Sequence, residues 1–402
     1  MKNRQSYLQQ LIAFRDKMPV KVITGVRRSG KSSLLELFAQ YLLEDGVPQT
    51  AIINMNFESL TYDHLKDYRQ LHDEISKRLQ PNRMNYILLD EIQQIPEWER
   101  AINSLLLLSY TDIYITGSNA WLLSSELSTL LSGRYVEVKM LPLSFKEFLD
   151  FHEYEMSGDL TTQFNRFLEY GGFPGITEFR DNPSAIMPLL EGIYHTIVVK
   201  DVVQRNAIRD VQLLESLIRY LSGNISRTVS TRSIGGYLTS AGRKTTGDTI
   251  DNYLTMLEAA FIFYRAERYD VKGKLRLKTL EKYYIVDTGI RNMLIGIRND
   301  DYGYTLENVV YLELLRRGYE VYVGKIGNLE VDFIATNPKS MVYYQVTASM
   351  ADQGVRDREL APLKEIPDNY EKIVLSMDRT PITDYSGIRN VNLIDFLLED
   401  WE

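Results

Sequence analysis

The chain has no cysteine among its 402 residues. This absence excludes disulfides, zinc–thiolate sites and thiol nucleophiles, and it is compatible with a reducing compartment, so we expect a cytoplasmic protein. The chain also lacks any run of eighteen apolar residues, and its first ten residues have no long apolar core after their charges. We therefore expect neither a signal peptide nor a membrane span. No low-complexity tract or internal repeat is evident.

Negative charge exceeds positive charge over the whole chain, but positive charge is concentrated in the middle. The formal net charge of −8 argues against a protein that coats nucleic acid by bulk attraction. Residues 200 to 300, however, contain 17 Lys and Arg against 11 Asp and Glu, a net charge of about +6, which leaves about −14 for the remainder. The length is sufficient for two or three domains, and a basic surface is expected in the middle one.

The most informative motif is Gly-Val-Arg-Arg-Ser-Gly-Lys-Ser at residues 25–32. It follows a β-branched run typical of a strand, Val20–Thr24, and precedes an apolar run with helical spacing, 32–39. A G-x-x-x-x-G-K-S loop in this setting binds nucleotide phosphates through backbone N–H groups, and the alternative is a glycine-rich turn that binds nothing. Lys31 is expected to bridge the β- and γ-phosphates, and Ser32 is expected to hold Mg²⁺. The predicted ATP-binding residues are Gly25, Val26, Arg27, Arg28, Ser29, Gly30, Lys31, Ser32 and Ser33.

Further strand-like runs alternate with helix-like stretches, at 51–57, 86–89, 113–116 and 135–138. This alternation predicts an α/β fold with a parallel sheet, whose ligands lie at the carboxyl ends of the strands. The run 86–89 leads directly into Asp90, a candidate Mg²⁺ ligand, and Glu91, a candidate base for the attacking water. A strand that merely stops at two acidic residues is the alternative.

Two further candidates are less specific. Ser118 and Asn119 end the next strand and are candidate sensors of the γ-phosphate, but either could simply cap the following helix. Arg134 is a candidate arginine finger, which would reach the γ-phosphate of a neighbouring subunit and so predicts a homo-oligomer. Arg134 could equally complement a helix C-terminus behind Gly133.

Together these motifs resemble the prokaryotic AAA-type ATPases that carry a C-terminal domain of unknown function. The resemblance rests on the phosphate loop and on the segments at 90–91, 116–118, 132–135, 141–148 and 171–174. It spans nearly the whole chain, is most specific in about the first 180 residues, and implies an ATP-binding core of the AAA superfamily. It does not imply a substrate.

The middle of the chain contains a candidate winged helix. The runs 233–238 and 249–258 have helical spacing and flank a polar turn, and the runs 261–266 and 275–277 could form a wing. In this interpretation the turn and the wing contact double-stranded or branched DNA. The alternative is a spacer whose basic face meets acidic protein. The candidate DNA-binding residues are Arg243, Lys244, Thr245, Thr246, Lys272, Lys274 and Arg276.

The last hundred residues resemble a restriction-endonuclease-like fold that has lost its chemistry. Glu307 lies on an amphipathic helix, Asp332 on a strand, and the next strand carries Gln345 and Thr347 where active members of that fold have Glu-x-Lys. Thr347 cannot supply the positive charge that stabilises an attacking hydroxide. A lysine could come from elsewhere, and Lys325 and Lys339 are the candidates.

These observations predict three domains: a P-loop AAA-type ATPase domain at 1–180, a helical linker with a winged helix at 181–298, and a nuclease-like, non-catalytic domain at 299–402. The leading hypothesis is a Mg²⁺-dependent ATPase that couples nucleotide state to DNA or protein binding by its C-terminal half. The alternatives are a slow ATP switch that recruits a partner protein and a nucleotide-gated DNA nuclease.

Overall fold

The computed structural model describes residues 4–120, 131, 133–155, 158–180, 182–273, 275–379 and 382–399. The chain forms two compact units. The N-terminal unit comprises Met1–Met140 and Ala259–Phe261, and the C-terminal unit comprises Leu141–Glu258 and Ile262–Glu402. No helix in the described part of the chain has the length and apolar character needed to cross a membrane.

The N-terminal unit is built on a five-stranded sheet in the order β2-β3-β4-β1-β5, with every neighbouring pair parallel. Its strands are β1 Val20–Thr24, β2 Ile52–Asn56, β3 Asn85–Asp90, β4 Thr111–Gly117 and β5 Tyr135–Lys139. Its helices are α1 Gln5–Ala13, α2 Lys31–Glu44, α3 Tyr68–Arg78 and α4 Trp98–Leu105, with 3-10 turns at Gln49–Ala51, Leu60–Tyr62 and Ile92–Gln94. The predicted α/β fold with a parallel sheet is confirmed for this unit.

Residues on the two faces of this sheet enter two separate apolar clusters. Val22 and Leu89 pack with side chains of α3 and α4, whereas Ile23 and Leu88 pack with side chains of α1 and α2. Every residue of β1 and β3 is buried, as expected for parallel strands that are covered on both faces. The rigid sheet fixes where the loops at its carboxyl edge begin.

The C-terminal unit contains an eight-stranded mixed sheet in the order β13-β12-β11-β10-β9-β7-β8-β6. Its strands are β6 Thr228–Val229, β7 Phe263–Asp270, β8 Leu275–Ile285, β9 Glu320–Ile326, β10 Leu329–Thr336, β11 Met341–Thr347, β12 Glu371–Ser376 and β13 Arg389–Asn392. A core cluster on this sheet includes Val331, Ile334 and Val374, which pack with Leu360 and Leu363.

The helices of the C-terminal unit precede and interrupt this sheet. They are α5 Phe145–His152, α6 Leu160–Tyr170, α7 Ile186–Thr196, a π-helix Ile197–Gln204, α8 Val211–Ser222, α9 Thr231–Ser240, α10 Gly247–Ala259, α11 Thr288–Ile295, α12 Tyr302–Arg316, α13 Gln353–Glu365 and α14 Leu393–Leu398. Short 3-10 helices lie at Pro174–Phe179, Pro183–Ala185 and Asn299–Asp301. The two helices predicted around residues 233–258 are present as α9 and α10.

The division of the molecule differs from the predicted boundaries at 180 and 298. The long segment of the N-terminal unit ends at Met140, and the eight-stranded sheet continues across residue 298. The physical reason for the second difference is a parallel pairing of β7 with β9, in which Arg268 lies opposite Val323 and Asp270 lies opposite Lys325. The hairpin predicted as a wing is therefore part of the same sheet as the strands of residues 320–347.

Candidate functional site

The phosphate-loop motif lies between β1 and α2, as its sequence context predicts. Gly25 follows β1 with φ 144°, and Gly30 precedes α2 with φ 101°. A β-carbon at Gly25 would lie 2.0 Å from the carbonyl oxygen of Met140, so only glycine fits there. Helix α2 begins at Lys31 without a side-chain cap, which leaves backbone N–H groups of its first turn for an anion.

Two side chains of the loop fit a phosphate ligand. Lys31 is 4% exposed, and its Nζ donates to the carbonyl oxygens of Gly25 at 2.9 Å and Val26 at 3.0 Å. The buried Oγ of Ser29 has no hydrogen-bond partner among the described residues. Ser32 and Ser33 are exposed, which leaves the Ser32 hydroxyl accessible to a metal ion. The residues present therefore fit a nucleotide with its Mg²⁺.

Asp90 ends β3 in a fixed orientation. Its Oδ1 accepts a hydrogen bond of 2.5 Å from the Thr116 hydroxyl, and its Oδ2 accepts one of 2.8 Å from Nδ2 of Asn56. Asn56 ends β2, and its Oδ1 accepts the backbone N–H of Glu58 at 2.8 Å. The carboxylate is thus held from both neighbouring strands, as required of an oxygen ligand that must face a metal ion.

Glu91 follows Asp90 with a left-handed backbone, φ 54°. Its N–H donates to the Thr116 hydroxyl oxygen at 3.0 Å, and its carboxylate accepts from Gln93 and, at 3.5 Å, from the Ser118 hydroxyl. Burial raises the pKa of Glu91, while the positive charges of Lys31 and Arg27 oppose this shift. A carboxylate with a raised pKa is better suited to accept a proton from water than an ordinary surface glutamate.

The sequence interpretation missed Asn56 and Glu58, and it named Thr116 only within the segment 116–118, without its contacts to Asp90 and Glu91. Arg27, predicted as part of the loop, pairs its guanidinium with Glu58 at 2.8 Å. Polar residues at the ends of β2 and β4 were the available signal, because parallel strands bring their carboxyl ends to one edge. These polar residues predict contacts with Asp90 only if both strands are known to lie beside β3.

Of the predicted sensor and finger residues, Ser118 lies near Glu91, whereas Arg134 lies away from the phosphate loop. Ser118 and Asn119 are fully buried, and Ser118 is close to the Glu91 carboxylate. Arg134 precedes β5 at the amino ends of the strands, whereas the phosphate loop lies at their carboxyl ends. The Arg134 carbonyl accepts the N–H of Val20 at the start of β1. A five-residue strand spans about 16 Å, so Arg134 does not meet Lys31 within one subunit. Its guanidinium contacts Oδ1 of Asn103 at 3.1 Å and the carbonyl of Leu131 at 3.4 Å.

Comparisons with known proteins identify the N-terminal part of the chain. A sequence profile of AAA domains matches residues 17–149, and a profile of a domain of unknown function (DUF8612) matches residues 161–301. An uncharacterised protein of Haemophilus influenzae is 42% identical over 401 residues, which cover 99% of each chain. The chain contains an AAA domain and belongs to the same family as this Haemophilus influenzae protein.

One further relative and one solved structure resemble this AAA-domain protein. An uncharacterised protein of Methanocaldococcus jannaschii is 30% identical over 331 residues, which cover 78% of this chain and 71% of that protein. The solved Walker-type ATPase of Pyrococcus abyssi superposes with a TM-score of 0.52 at 16% identity and covers 73% of this chain and 96% of its own. At that identity the likeness concerns the fold alone.

In the C-terminal unit, the turn between α9 and α10 contains four of the residues predicted to contact DNA. The guanidinium of Arg243 bonds to Gln212 and lies 3.7 Å from Asp210, whereas Lys244 is exposed. Thr245 is half-buried, and the Thr246 hydroxyl accepts the N–H of Thr249 at 3.3 Å. Arg243 is therefore partly neutralised by its own unit.

The predicted wing residues are more exposed. Lys272 has 57% of its side chain exposed and lies 4.0 Å from Glu365. Arg276 has 62% exposed, lies 3.5 Å from Glu320, and stacks over the Tyr322 ring. Lys274 lies outside the described residues. Both described cations could reach a phosphate, since exposed ion pairs of this kind are weak.

Two of the four nuclease-like residues, Glu307 and Asp332, meet in the C-terminal unit around a lysine that the sequence interpretation missed. Nζ of Lys282, on β8, lies 2.9 Å from Glu307, 2.8 Å from Glu330 and 4.0 Å from Oδ1 of Asp332. Lys282 and Glu307 are more than nine-tenths buried. The positive charge at this cluster thus comes from Lys282 rather than from either candidate named above, Lys325 or Lys339.

The remaining contacts tie the nuclease-like cluster to its neighbours. Gln345 accepts the backbone N–H of Asp332 at 3.4 Å and donates to Glu359 at 2.8 Å. Thr347 contacts the carbonyl of Ser349 instead. Burial raises the pKa of Asp332 well above its ordinary value. Within the described ranges, no three His, Cys, Asp or Glu residues are arranged to hold a metal ion.

Proposed function

We propose that the N-terminal unit binds Mg²⁺–ATP at Gly25–Ser33 and hydrolyses it, with Glu91 as the general base. The observation that carries this proposal is the position of Glu91. It is buried and follows the metal-ligand candidate Asp90, and the positive charges of Lys31 and Arg27 lower its pKa against the effect of burial. These are the groups needed to hold a triphosphate, a metal ion and an attacking water together.

The chain's own residues suggest the steps. Lys31 exchanges its contacts with the carbonyls of Gly25 and Val26 for contacts with the β- and γ-phosphates. Ser32 and Asp90 would hold Mg²⁺, which when bound would neutralise charge on the phosphate oxygens. Glu91 orients the attacking water and accepts its proton. The hydroxyl of Thr116 bonds to both the Asp90 carboxylate and the backbone N–H of Glu91, and so fixes their relative positions.

The test is a steady-state ATPase assay combined with nucleotide binding. We expect Lys31→Ala to abolish turnover and weaken ATP binding, and Glu91→Gln to lower the rate by at least about a hundredfold while ATP still binds. Glu44→Gln, at the exposed end of α2, is the control and should keep the wild-type rate. Wild-type protein that neither binds nor hydrolyses ATP would contradict the proposal.

We further propose that nucleotide state is coupled to binding by the C-terminal half. Exposed Lys244, Lys272 and Arg276 support DNA as the ligand. The residues of α10, Gly247–Ala259, support a protein instead, because they include Asp248, Asp251 and Glu258 but no lysine or arginine. A helix with this charge is repelled by the phosphates that flank a DNA groove.

The ATPase rate with double-stranded, single-stranded and branched DNA separates these two ligands. DNA binding through the wing requires stimulation of the rate by one of these forms and a steep salt dependence that Lys272→Ala and Arg276→Ala reduce. Very slow turnover with tightly retained nucleotide, and no response to DNA, would favour the switch that recruits a partner protein.

Assembly and nuclease activity are tested separately. If Arg134 acts on a neighbouring subunit, the specific ATPase rate should rise with protein concentration, and Arg134→Ala should lower it without weakening ATP binding. The lysine at the centre of the nuclease-like cluster supports a non-catalytic role, because its charge already occupies the space between Glu307 and Asp332. Cleavage of plasmid or branched DNA with Mg²⁺ that Asp332→Ala abolishes would contradict that role.

A further inference from the structure

A cavity of about 190 Å³ lies in the C-terminal unit, between α9, α10 and the strands β7 and β8. One face of α10 lines it, through residues 251, 254, 255 and 258. These positions follow the i, i+3, i+4, i+7 spacing of a single helix face. The helix that a winged-helix interpretation would assign to a DNA groove therefore has one of its faces on a concave site.

The polar side chains of this cavity are predominantly negative. Asp251, Glu258 and Glu281 line it together with one cation, Arg265. The Arg265 guanidinium lies 3.3 Å from Glu258 and 3.5 Å from Glu281, so it is shared between two carboxylates. The Asp251 carboxylate accepts from the Thr231 hydroxyl at 2.9 Å and has no ion pair with a described residue within 4 Å. With its carboxylates ionised, the cavity has a net charge of −2.

The walls of the cavity are apolar. Val229, Ile234 and Leu254 are buried against it, whereas Leu280 is 45% exposed. A ligand that combines a hydrocarbon stem with a cationic head would cover Leu280 and place its charge among the carboxylates. Lysine and arginine side chains have this construction.

We propose that this cavity binds a lysine or arginine side chain of a partner protein, with the stem against Leu254 and Leu280 and the head between Asp251 and Glu281. A side chain of a protein fits better than a free amine, because it supplies both the cationic head and the hydrocarbon stem that covers the exposed Leu280. DNA is disfavoured at this site since its phosphates would face the same carboxylates. The inference concerns the partner class of the C-terminal half and does not depend on ATP hydrolysis.

The ionisation of Glu258 should make ligand binding to the cavity depend on pH. Burial raises its pKa to about 7, Arg265 opposes the shift, and Glu281 and Glu267 add to it. The charged or titratable groups facing it are Arg265 and Glu267 of β7, Glu281 and Tyr283 of β8, and Asp251 of its own helix. A cationic ligand binds more tightly to the ionised carboxylate, so affinity should increase as the pH rises from 6 to 8.

The experiment measures fluorescence anisotropy of labelled twelve-residue glycine–serine peptides with a central Leu-Arg-Leu, Leu-Lys-Leu or Leu-Gln-Leu. The full chain is used, without nucleotide, together with the Lys31→Ala variant, so that loss of ATPase activity cannot be mistaken for loss of this site. We expect the Arg and Lys peptides to bind at least about tenfold more tightly than the Gln peptide, which corresponds to about one well-placed charge interaction.

Variants of the cavity separate its charge from its shape. Asp251→Asn and Glu281→Gln should each weaken the Arg peptide several-fold, and Thr255→Trp should block it without changing any charge. Glu258→Gln should remove most of the pH dependence between 6 and 8. Asp248→Asn, one turn away on α10 and outside the cavity, is the matched control and should bind as wild type.

Circular dichroism identifies any variant that fails to fold, and Thr255→Trp, at an exposed position, keeps the test decisive if an acidic variant does fail. Four results would overturn the proposal: no binding of either cationic peptide at millimolar concentration, equal binding of the Gln peptide, an equal loss with Asp248→Asn, or displacement of the Arg peptide by a 20-base-pair duplex in a manner that Asp251→Asn abolishes.

Discussion

The hydroxyl of Thr116 donates a hydrogen bond of 2.5 Å to Oδ1 of Asp90, between neighbouring parallel strands. The same hydroxyl oxygen accepts the backbone N–H of Glu91 at 3.0 Å. One side chain therefore orients both the metal-ligand candidate and the residue that follows it. Contacts of this kind around a metal site typically change activity by 10- to 100-fold when they are removed.

Thr116→Val removes this hydroxyl while conserving the shape of the side chain. We expect kcat for ATP hydrolysis to fall about 10- to 100-fold, because Asp90 and Glu91 lose their common partner, with ATP affinity changing much less. Steady-state kinetics and nucleotide titration measure the two effects. Thr116→Ser retains the hydroxyl and should keep most of the rate; an equal loss in both variants would assign the effect to packing.

The acid limb of the kcat profile should report Glu91. Since burial raises the pKa of this general base, the rate at saturating ATP should fall at a pH above the ordinary glutamate pKa of 4.5. Arg27→Gln removes a positive charge that lowers this pKa, so the limb should move to higher pH. The neighbouring Arg28 is exposed, and Arg28→Gln should leave the limb unchanged. Identical profiles for the two variants would count against Glu91 as the titrating group.

Gly25→Ala should abolish ATP binding. A methyl group there would collide with the carbonyl of Met140, at a φ that side chains rarely adopt, and the loop would have to move away from the phosphates. Isothermal titration with ATP is the measurement. Gly192→Ala, in helix α7 with open space around the new methyl, should bind ATP normally and be neutral or stabilising. Near-wild-type affinity of Gly25→Ala would show that the loop tolerates the displacement.

Lys282→Met should destabilise the C-terminal unit by about 3–5 kcal/mol, because buried Glu307 and Asp332 lose their common counter-charge. Urea unfolding followed by circular dichroism measures the loss. The exposed Lys272→Met should change the free energy of unfolding by no more than about 0.5 kcal/mol.

The same variant has a predicted pH dependence. Carboxyl groups whose pKa is raised by folding bind more protons in the folded state than in the unfolded state. The loss in free energy of unfolding caused by Lys282→Met should therefore become smaller as the pH falls from 7 to 5. A loss in free energy of unfolding that is constant over this pH range would indicate lost packing rather than unpaired charge.

Much of the N-terminal unit could be predicted because its signals are local. The β-branched run Val20–Thr24 and the apolar run ending at Asp90 are strands as predicted, and the glycines of the phosphate loop have the backbone angles that the motif requires. The AAA assignment is confirmed by the profile match. The predicted roles of Glu91, Ser118 and Arg134, and the winged helix, stay predictions.

The relationships that could not be predicted depend on tertiary neighbours. Thr116 contacts Asp90 because β4 lies beside β3, a fact of strand order that no local pattern encodes. Lys282 reaches Glu307 across 25 positions of sequence, because helix α12 packs against β8. Residue spacing within one strand indicates which side chains share a face, but it does not identify the element that faces them.

The parallel pairing of β7 with β9 has a consequence for dissecting the protein. A fragment that ends at residue 298 would keep β7 but lose β9, and β7 would become an edge strand with unpaired N–H and C=O groups opposite Val323 to Lys325. Such an edge invites pairing with other chains and aggregation. The predicted DNA-contacting segment therefore has to be studied together with the strands that follow it, and its hairpin cannot swing as an independent arm.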